Sequence, residues 1–160
     1  MEIKSLTIEW NVFNNDELQP VDRMLVKAAR EATQGSYSPY SGFSVGAALL
    51  LDDGTVVTGS NQENAAYPSG LCAERTALFS ASHNHPANAV VALAIAARNK
   101  DGWTVEPVTP CGACRQVMAE TESRSGKPIR LILSARDRTM VIPEGTTAIL
   151  PFCFGADHLK

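Results

Sequence analysis

Gly70-Leu71-Cys72-Ala73-Glu74-Arg75-Thr76-Ala77-Leu78-Phe79 places a cysteine, a glutamate and an arginine within four residues, at what reads as the start of a helix. A second stretch, Pro110-Cys111-Gly112-Ala113-Cys114-Arg115, also opens a helix and supplies two more cysteines. Three thiols with a nearby carboxylate are the donor set of a zinc site that leaves one coordination position open. A closed structural site requires four protein ligands. The alternative for the same residues is a metal staple without chemistry.

Outward from the first cysteine helix, the chain falls into short alternating elements. The helix is predicted from Cys72 to Ser82, stopping before His83-Asn84-His85-Pro86. On its N-terminal side lies a polar loop, Asn61 to Ser69. Before that, Phe43 to Leu51 and Thr55 to Ser60 read as two strands joined by the turn Asp52-Asp53-Gly54. Gly35 to Gly42 is turn-rich. Asp16 to Gln34 carries Leu18, Val21, Met24, Leu25, Ala28, Ala29 and Ala32 at helical spacing, with Pro20 in the first turn where its missing N–H costs little. Residues 5–13 alternate loosely and suggest a strand or an extended arm.

On the C-terminal side, Val90 to Arg98 is a continuous apolar run, as expected of a strand covered on both faces. The second cysteine helix spans Cys111 to Glu122, and Ile129 to Ser134 is a further strand. A polar hairpin-like stretch and an apolar patch over Ile149 to Phe154 complete the chain. This order indicates an α/β protein, a three-layer α/β/α sandwich around a mixed sheet. We expect a single domain over residues 16–160, preceded by an N-terminal extension over 1–15.

Composition narrows the classes of function. The 160 residues are 44% hydrophobic and 19% charged, with a net charge of -3 and a pI near 5.6. Such a balance offers no general attraction to a nucleic-acid polymer. No run approaches the ~18 apolar residues of a spanning helix, and Met1-Glu2-Ile3-Lys4 lacks the build of a signal peptide. The expected location is the cytoplasm, where cysteines stay reduced and serve metals or catalysis. Cys153, among Pro151, Phe152 and Phe154, is expected to be a buried filler thiol. His83, His85 and His158 show no ligand spacing to Cys72 and are expected to be solvated.

The chemistry of the cysteine stretches follows from spacing and charge. Cys111 and Cys114, three apart, put their sulfurs on one side of a helix. A lone C-x-x-C is shared by redox motifs and half zinc ribbons; the third cysteine gives the pattern its weight. Three thiolates leave a divalent metal with excess negative charge. Helix N-termini offset part of it, and Arg75 or Arg115 can add a full positive charge. Glu74, two residues after Cys72, can take a proton from a metal-activated water and pass it to a substrate nitrogen. A first-turn glutamate also favours the helix dipole without any catalytic duty.

Cys72-Ala73-Glu74-Arg75-Thr76-Ala77 with Pro110-Cys111-Gly112-Ala113-Cys114-Arg115-Gln116-Val117-Met118 closely resembles the small, homotetrameric type of cytidine deaminase, in which three cysteines hold the zinc. The zinc deaminase signature joins H-x-E to P-C-x-x-C; here cysteine stands in the histidine position. The resemblance spans roughly Tyr37 to Phe154. It implies a five-stranded mixed sheet and one Zn2+ per subunit held by Cys72, Cys111 and Cys114. It further implies hydrolysis of cytidine and 2′-deoxycytidine to uridine and 2′-deoxyuridine, a step of pyrimidine salvage, with Glu74 shuttling the proton to ring N3 and then to departing ammonia.

Asn61-Gln62-Glu63-Asn64-Ala65-Ala66-Tyr67 resembles the family's ribose-binding stretch, in which Asn61 and Glu63 would contact the 3′-hydroxyl. The resemblance assigns Phe43 to the base and adds Ala65, Tyr67, Ala73 and Phe154 to the substrate contacts. Tyr67 and Phe154 would serve neighbouring subunits of a homotetramer with shared sites. The implied partner is thus a small nucleoside, with neither a nucleic-acid polymer nor a membrane. Two rival readings are a deaminase of another aminopyrimidine nucleoside such as blasticidin S, and a zinc-stabilised binding protein without turnover.

Overall fold

The computed structural model describes residues 1–159 as one mixed sheet with helices on both faces. In chain order the strands are β1 (Asn11–Asn14), β2 (Ser44–Leu51), β3 (Val56–Ser60), β4 (Val90–Asn99), β5 (Gly102–Trp103), β6 (Arg130–Ser134) and β7 (Arg138–Ile142). The helices are α1 (Pro20–Ala32), α2 (Ala73–Asn84), α3 (Gly112–Ser125) and α4 (Thr146–Ile149). The sheet order is β1-β7-β6-β4-β2-β3, with β5 attached to β4. β4 and β6 run parallel, and every other pair is antiparallel.

Strand alternation divides the core in two. Ala47, Leu49, Leu93, Ile95, Leu131 and Leu133 point to the face covered by α2 and α3. Ala48, Ala92, Ala94, Ala96 and Ile132 point to the other face, where Leu25, Val26 and Ala29 of α1 meet them. On that second face the small side chains let α1 come very close. A Cβ added to Gly46 would lie 2.1 Å from the Ala29 carbonyl oxygen. The α2 face uses a similar device: Ala73, Ala77 and Ala81, spaced by four, form a buried stripe. A Cβ on Gly59 of β3 would lie 2.5 Å from Ala77 N and 2.7 Å from Ala73 O. Close seating of α2 on β3 fixes where the first turn of α2 falls, and with it Cys72 and Glu74.

Among the described residues the sheet holds seven strands, two more than expected. The polar stretch after β6 is itself a strand, β7, pairing Leu131 to Ser134 with Ile142 to Thr139. Its side chains carry little apolar signal because backbone hydrogen bonds to β6 and β1 define it. β5, at two residues, is too short to carry any period. The N-terminal arm contributes β1, an edge strand on β7, while Leu6 and Trp10 before it are exposed. Cys153 is exposed, contrary to the expectation of a buried thiol. It follows α4 in a stretch without strand or helix, and neighbouring Phe152 and Phe154 are exposed with it. Among the described residues, no helix is long and apolar enough to cross a membrane.

Candidate active site

Two helix starts meet at the cysteines. Cys72 is the N-cap of α2 and Cys111 the N-cap of α3, and neither side chain is used for capping. Their sulfurs are therefore free while the positive ends of two helix dipoles lie beside them. Cys114 stands in the first turn of α3 and is fully buried. The Sγ atoms of Cys72 and Cys111 are 3.8 Å apart, and those of Cys111 and Cys114 are 3.5 Å apart. Tetrahedral zinc with Zn–S bonds near 2.3 Å requires sulfurs about 3.8 Å apart. The donor set thus fits that ion. Among the described residues no histidine, fourth cysteine or carboxylate joins the group.

Charge explains why these thiols want a cation. Cys72 is pulled down to about 5, first by the hydrogen bond with Cys114, then by the guanidinium of Arg75, while partial burial opposes both. Cys114 is pushed up, first by keeping the proton it shares with Cys72 and next by burial. Packed this tightly, the thiols cannot all ionise alone; a divalent metal held there would supply the missing charge. Arg75 Nη2 lies 3.8 Å from Cys72 Sγ. Arg115 instead donates from Nε to the Pro110 carbonyl and from Nη1 to the Ile149 carbonyl, both at 2.8 Å. Of the two candidate arginines, Arg75 is the one beside a thiolate.

Glu74 is buried, only 5% exposed, in the first turn of α2. Burial raises its carboxyl above the ordinary value, and the neighbouring Cys72 thiolate adds to the rise. A carboxyl shifted in this direction holds a proton more readily than an exposed one, as a group that carries protons to and from a reacting centre must.

A cleft of about 520 Å³ runs from Cys72 and Arg75 to the Asn61–Asn64 loop. Asn61 Oδ1 accepts from Ser36 Oγ and Val45 N, and its Nδ2 donates to the Phe43 carbonyl. Glu63 accepts from the backbone N–H groups of Tyr40 and Ser41 and from the Ser41 hydroxyl. The Ser41 hydrogen bond leads in holding the Glu63 carboxyl below its ordinary value. Phe43 is half-buried just before β2. Tyr67, 78% exposed, meets Tyr40 edge-to-face with ring centroids 6.3 Å apart. Ala65 is exposed and Ala73 is buried at the start of α2; among the described residues, neither these nor Phe43 lines the cleft. Phe154 lies outside this cleft, exposed and stacked on His158 at 5.3 Å. The sequence reading missed Tyr40 and Ser41, which line the cleft; the turn-rich stretch over Gly35 to Gly42 was their only signal.

Residues 19–126 match the family model described as the cytidine and deoxycytidylate deaminase zinc-binding region. The chain is 55% identical over 98 residues to a cytidine deaminase of Halalkalibacterium halodurans, covering 61% of this chain and 70% of that protein. It is 40% identical over 155 residues to a cytidine deaminase of Mycobacterium tuberculosis, covering 95% and 94% of the two chains. Among solved structures, the cytidine deaminase of Burkholderia pseudomallei superposes with a TM-score of 0.66 at 39% identity, over 82% of this chain and 97% of that one.

Proposed function

This chain belongs to the cytidine and deoxycytidylate deaminase family, in its cysteine-zinc type, and from it we propose that cytidine and 2′-deoxycytidine are the substrates, hydrolysed to uridine and 2′-deoxyuridine with release of ammonia. The enzyme is a zinc-dependent deaminase of a cytidine-like nucleoside. The observation that carries the finer reading is the meeting of two features in one cleft. At one end are Cys72 and Arg75 of the thiol cluster; at the other is the carboxylate of Glu63. A carboxylate accepts from a sugar hydroxyl and repels a phosphate, so the cleft favours a nucleoside over a nucleotide.

Cys72, Cys111 and Cys114 would hold one Zn2+ per subunit, which would supply the Lewis acidity that makes water nucleophilic at neutral pH. Glu74 takes the proton of the attacking water and delivers it to N3 of the cytosine ring. As the water oxygen bonds to C4, the same carboxyl takes the remaining proton from the new C4 hydroxyl and passes it to the exocyclic nitrogen; the C4–N bond breaks, C4 becomes a carbonyl, and ammonia leaves. Arg75 balances charge on the Cys72 thiolate. Phe43 borders the base and Asn61 and Glu63 border the sugar, with Ala65 and Ala73 as further substrate contacts. Exposure of Tyr67 and Phe154 in the single chain supports their completing a neighbour's site in a homotetramer.

The test is an ultraviolet assay of zinc-loaded protein with cytidine, 2′-deoxycytidine, CMP and blasticidin S in parallel. Turnover of both nucleosides, with CMP left untouched, is the expected result. Turnover of blasticidin S alone would move the assignment to that antibiotic, and no turnover of any would leave a binding protein.

A further inference from the structure

Most of the hydrogen-bonding capacity of Glu63 is already taken within the chain. A carboxylate offers about four acceptor positions, two on each oxygen. Glu63 Oε2 takes two backbone donors, Tyr40 N at 3.0 Å and Ser41 N at 3.2 Å. Its Oε1 takes the Ser41 hydroxyl. Among the described residues, one acceptor position is left. Asn61 is constrained in the complementary sense: both positions on Oδ1 are used, by Ser36 Oγ at 2.6 Å and Val45 N at 2.8 Å. One of its two N–H donors goes to the Phe43 carbonyl at 2.9 Å, which among the described residues leaves one donor. One free acceptor and one free donor are what a single hydroxyl group can satisfy.

Ser41 is the residue on which this count depends. Its hydroxyl donates to Glu63 Oε1 and, on its other side, accepts from Phe43 N at 3.0 Å. The same oxygen therefore links the carboxylate at the sugar end to the backbone of the aromatic at the base end. Ser41 itself lines the cleft with Asn61 and Glu63. The turn that presents it depends on Gly42, at φ +64°, a conformation side chains other than glycine's resist. We propose that Ser41 is a positioning residue that occupies one acceptor position of Glu63, so that the sugar end of the cleft reads one hydroxyl and no more. This rests on the assignment of Glu63 to the sugar. It follows that the 2′-hydroxyl is not read by this pair, and that cytidine and 2′-deoxycytidine are handled alike there.

The experiment compares wild type, Ser41→Ala and Ser41→Thr on cytidine, 2′-deoxycytidine and 2′,3′-dideoxycytidine. Cytidine affinity is measured separately by calorimetry on zinc-loaded Glu74→Gln protein, with and without Ser41→Ala. Ser41→Ala is expected to raise KM about tenfold for cytidine and 2′-deoxycytidine, the scale of a lost hydrogen bond to a charged group, with kcat within about twofold. For 2′,3′-dideoxycytidine, which has no hydroxyl to read, KM should stay within about twofold. Ser41→Thr, which keeps the hydroxyl, should restore wild-type KM. The calorimetric Kd should weaken by the same factor as KM.

An equal loss on the dideoxynucleoside, or a fall in kcat at unchanged KM, would overturn the role of Ser41 while leaving the substrate assignment standing. Unchanged kinetics of Ser41→Ala on all three would do the same. A wild-type enzyme that treats cytidine and the dideoxynucleoside identically would overturn the assignment of Glu63 and the inference with it.

Discussion

Two carboxylates lie buried in the first turns of helices on opposite faces of the sheet, and they have different fates. Asp22 of α1 is 4% exposed and Glu74 of α2 is 5% exposed. Asp22 is paired: Arg130 Nη1 of β6 donates to its Oδ2 at 2.6 Å, tying α1 to the sheet. Among the described residues, Glu74 has no cation of its own in salt-bridge contact; the nearby guanidinium of Arg75 is turned to the Cys72 sulfur. A buried carboxylate with an arginine partner is explained by the fold. One without such a partner, raised by burial and set beside three thiols, fits the proton transfer proposed for it.

The contrast can be broken by exchanging the outcomes. Glu74→Gln is expected to lower kcat by at least ~10²–10⁴-fold, the range of general acid–base catalysis. Thermal stability and metal content should stay near wild type, as read by denaturation and elemental analysis. Substantial residual turnover would put Glu74 in the same class as Asp22. The converse substitution, Asp22→Asn, should cost about 3 kcal/mol of stability by leaving the Arg130 charge without its partner. Its activity per folded molecule should be preserved, as measured by urea unfolding beside steady-state kinetics.

Smaller effects sharpen the picture around Glu74. Arg75→Ala is expected to weaken zinc retention against a chelator and to lower kcat less than Glu74→Gln does. Loss of kcat as complete as that of Glu74→Gln would make the arginine more than a charge-balancing neighbour. The smallest effect is expected at the far end of α2 and α3, where Lys127 Nζ donates to Asp52 Oδ2 at 2.9 Å. The Asp52 carboxyl is held below its ordinary value, first by Lys127 and then by Asn88. A depressed pKa stabilises the fold above the unfolded value and loses that contribution as pH falls through the folded one. Asp52→Asn should therefore lower Tm slightly at pH 7, with the difference closing below about pH 4.

How far the sequence was legible depended on where information was stored. α1 could be read because its apolar side chains repeat at helical spacing, and β4 because both its faces are buried. The cysteines could be read because metal ligation demands particular atoms at particular spacings. β7 was hidden because its identity lies in backbone pairing with β6 and β1. Tyr40 and Ser41 were hidden for a related reason: they meet Glu63 through loop-to-loop contacts 23 and 22 residues apart in sequence that leave no period. Cys153 was misread because an apolar neighbourhood along the chain is not an apolar neighbourhood in space.

The parallel pairing of β4 with β6 gives the metal cluster a place in time. Parallel neighbours cannot be joined by a tight turn, so the chain must travel through α3 before β6 can align with β4. Cys111 and Cys114 ride on that crossing, whereas Cys72 belongs to the preceding β3–α2 unit. The three sulfurs therefore converge only when units 39 residues apart in sequence have docked, Cys72 from one and Cys111 with Cys114 from the other. Zinc uptake during refolding is expected to follow that docking, and a stopped-flow trace of it would time the meeting of the two units.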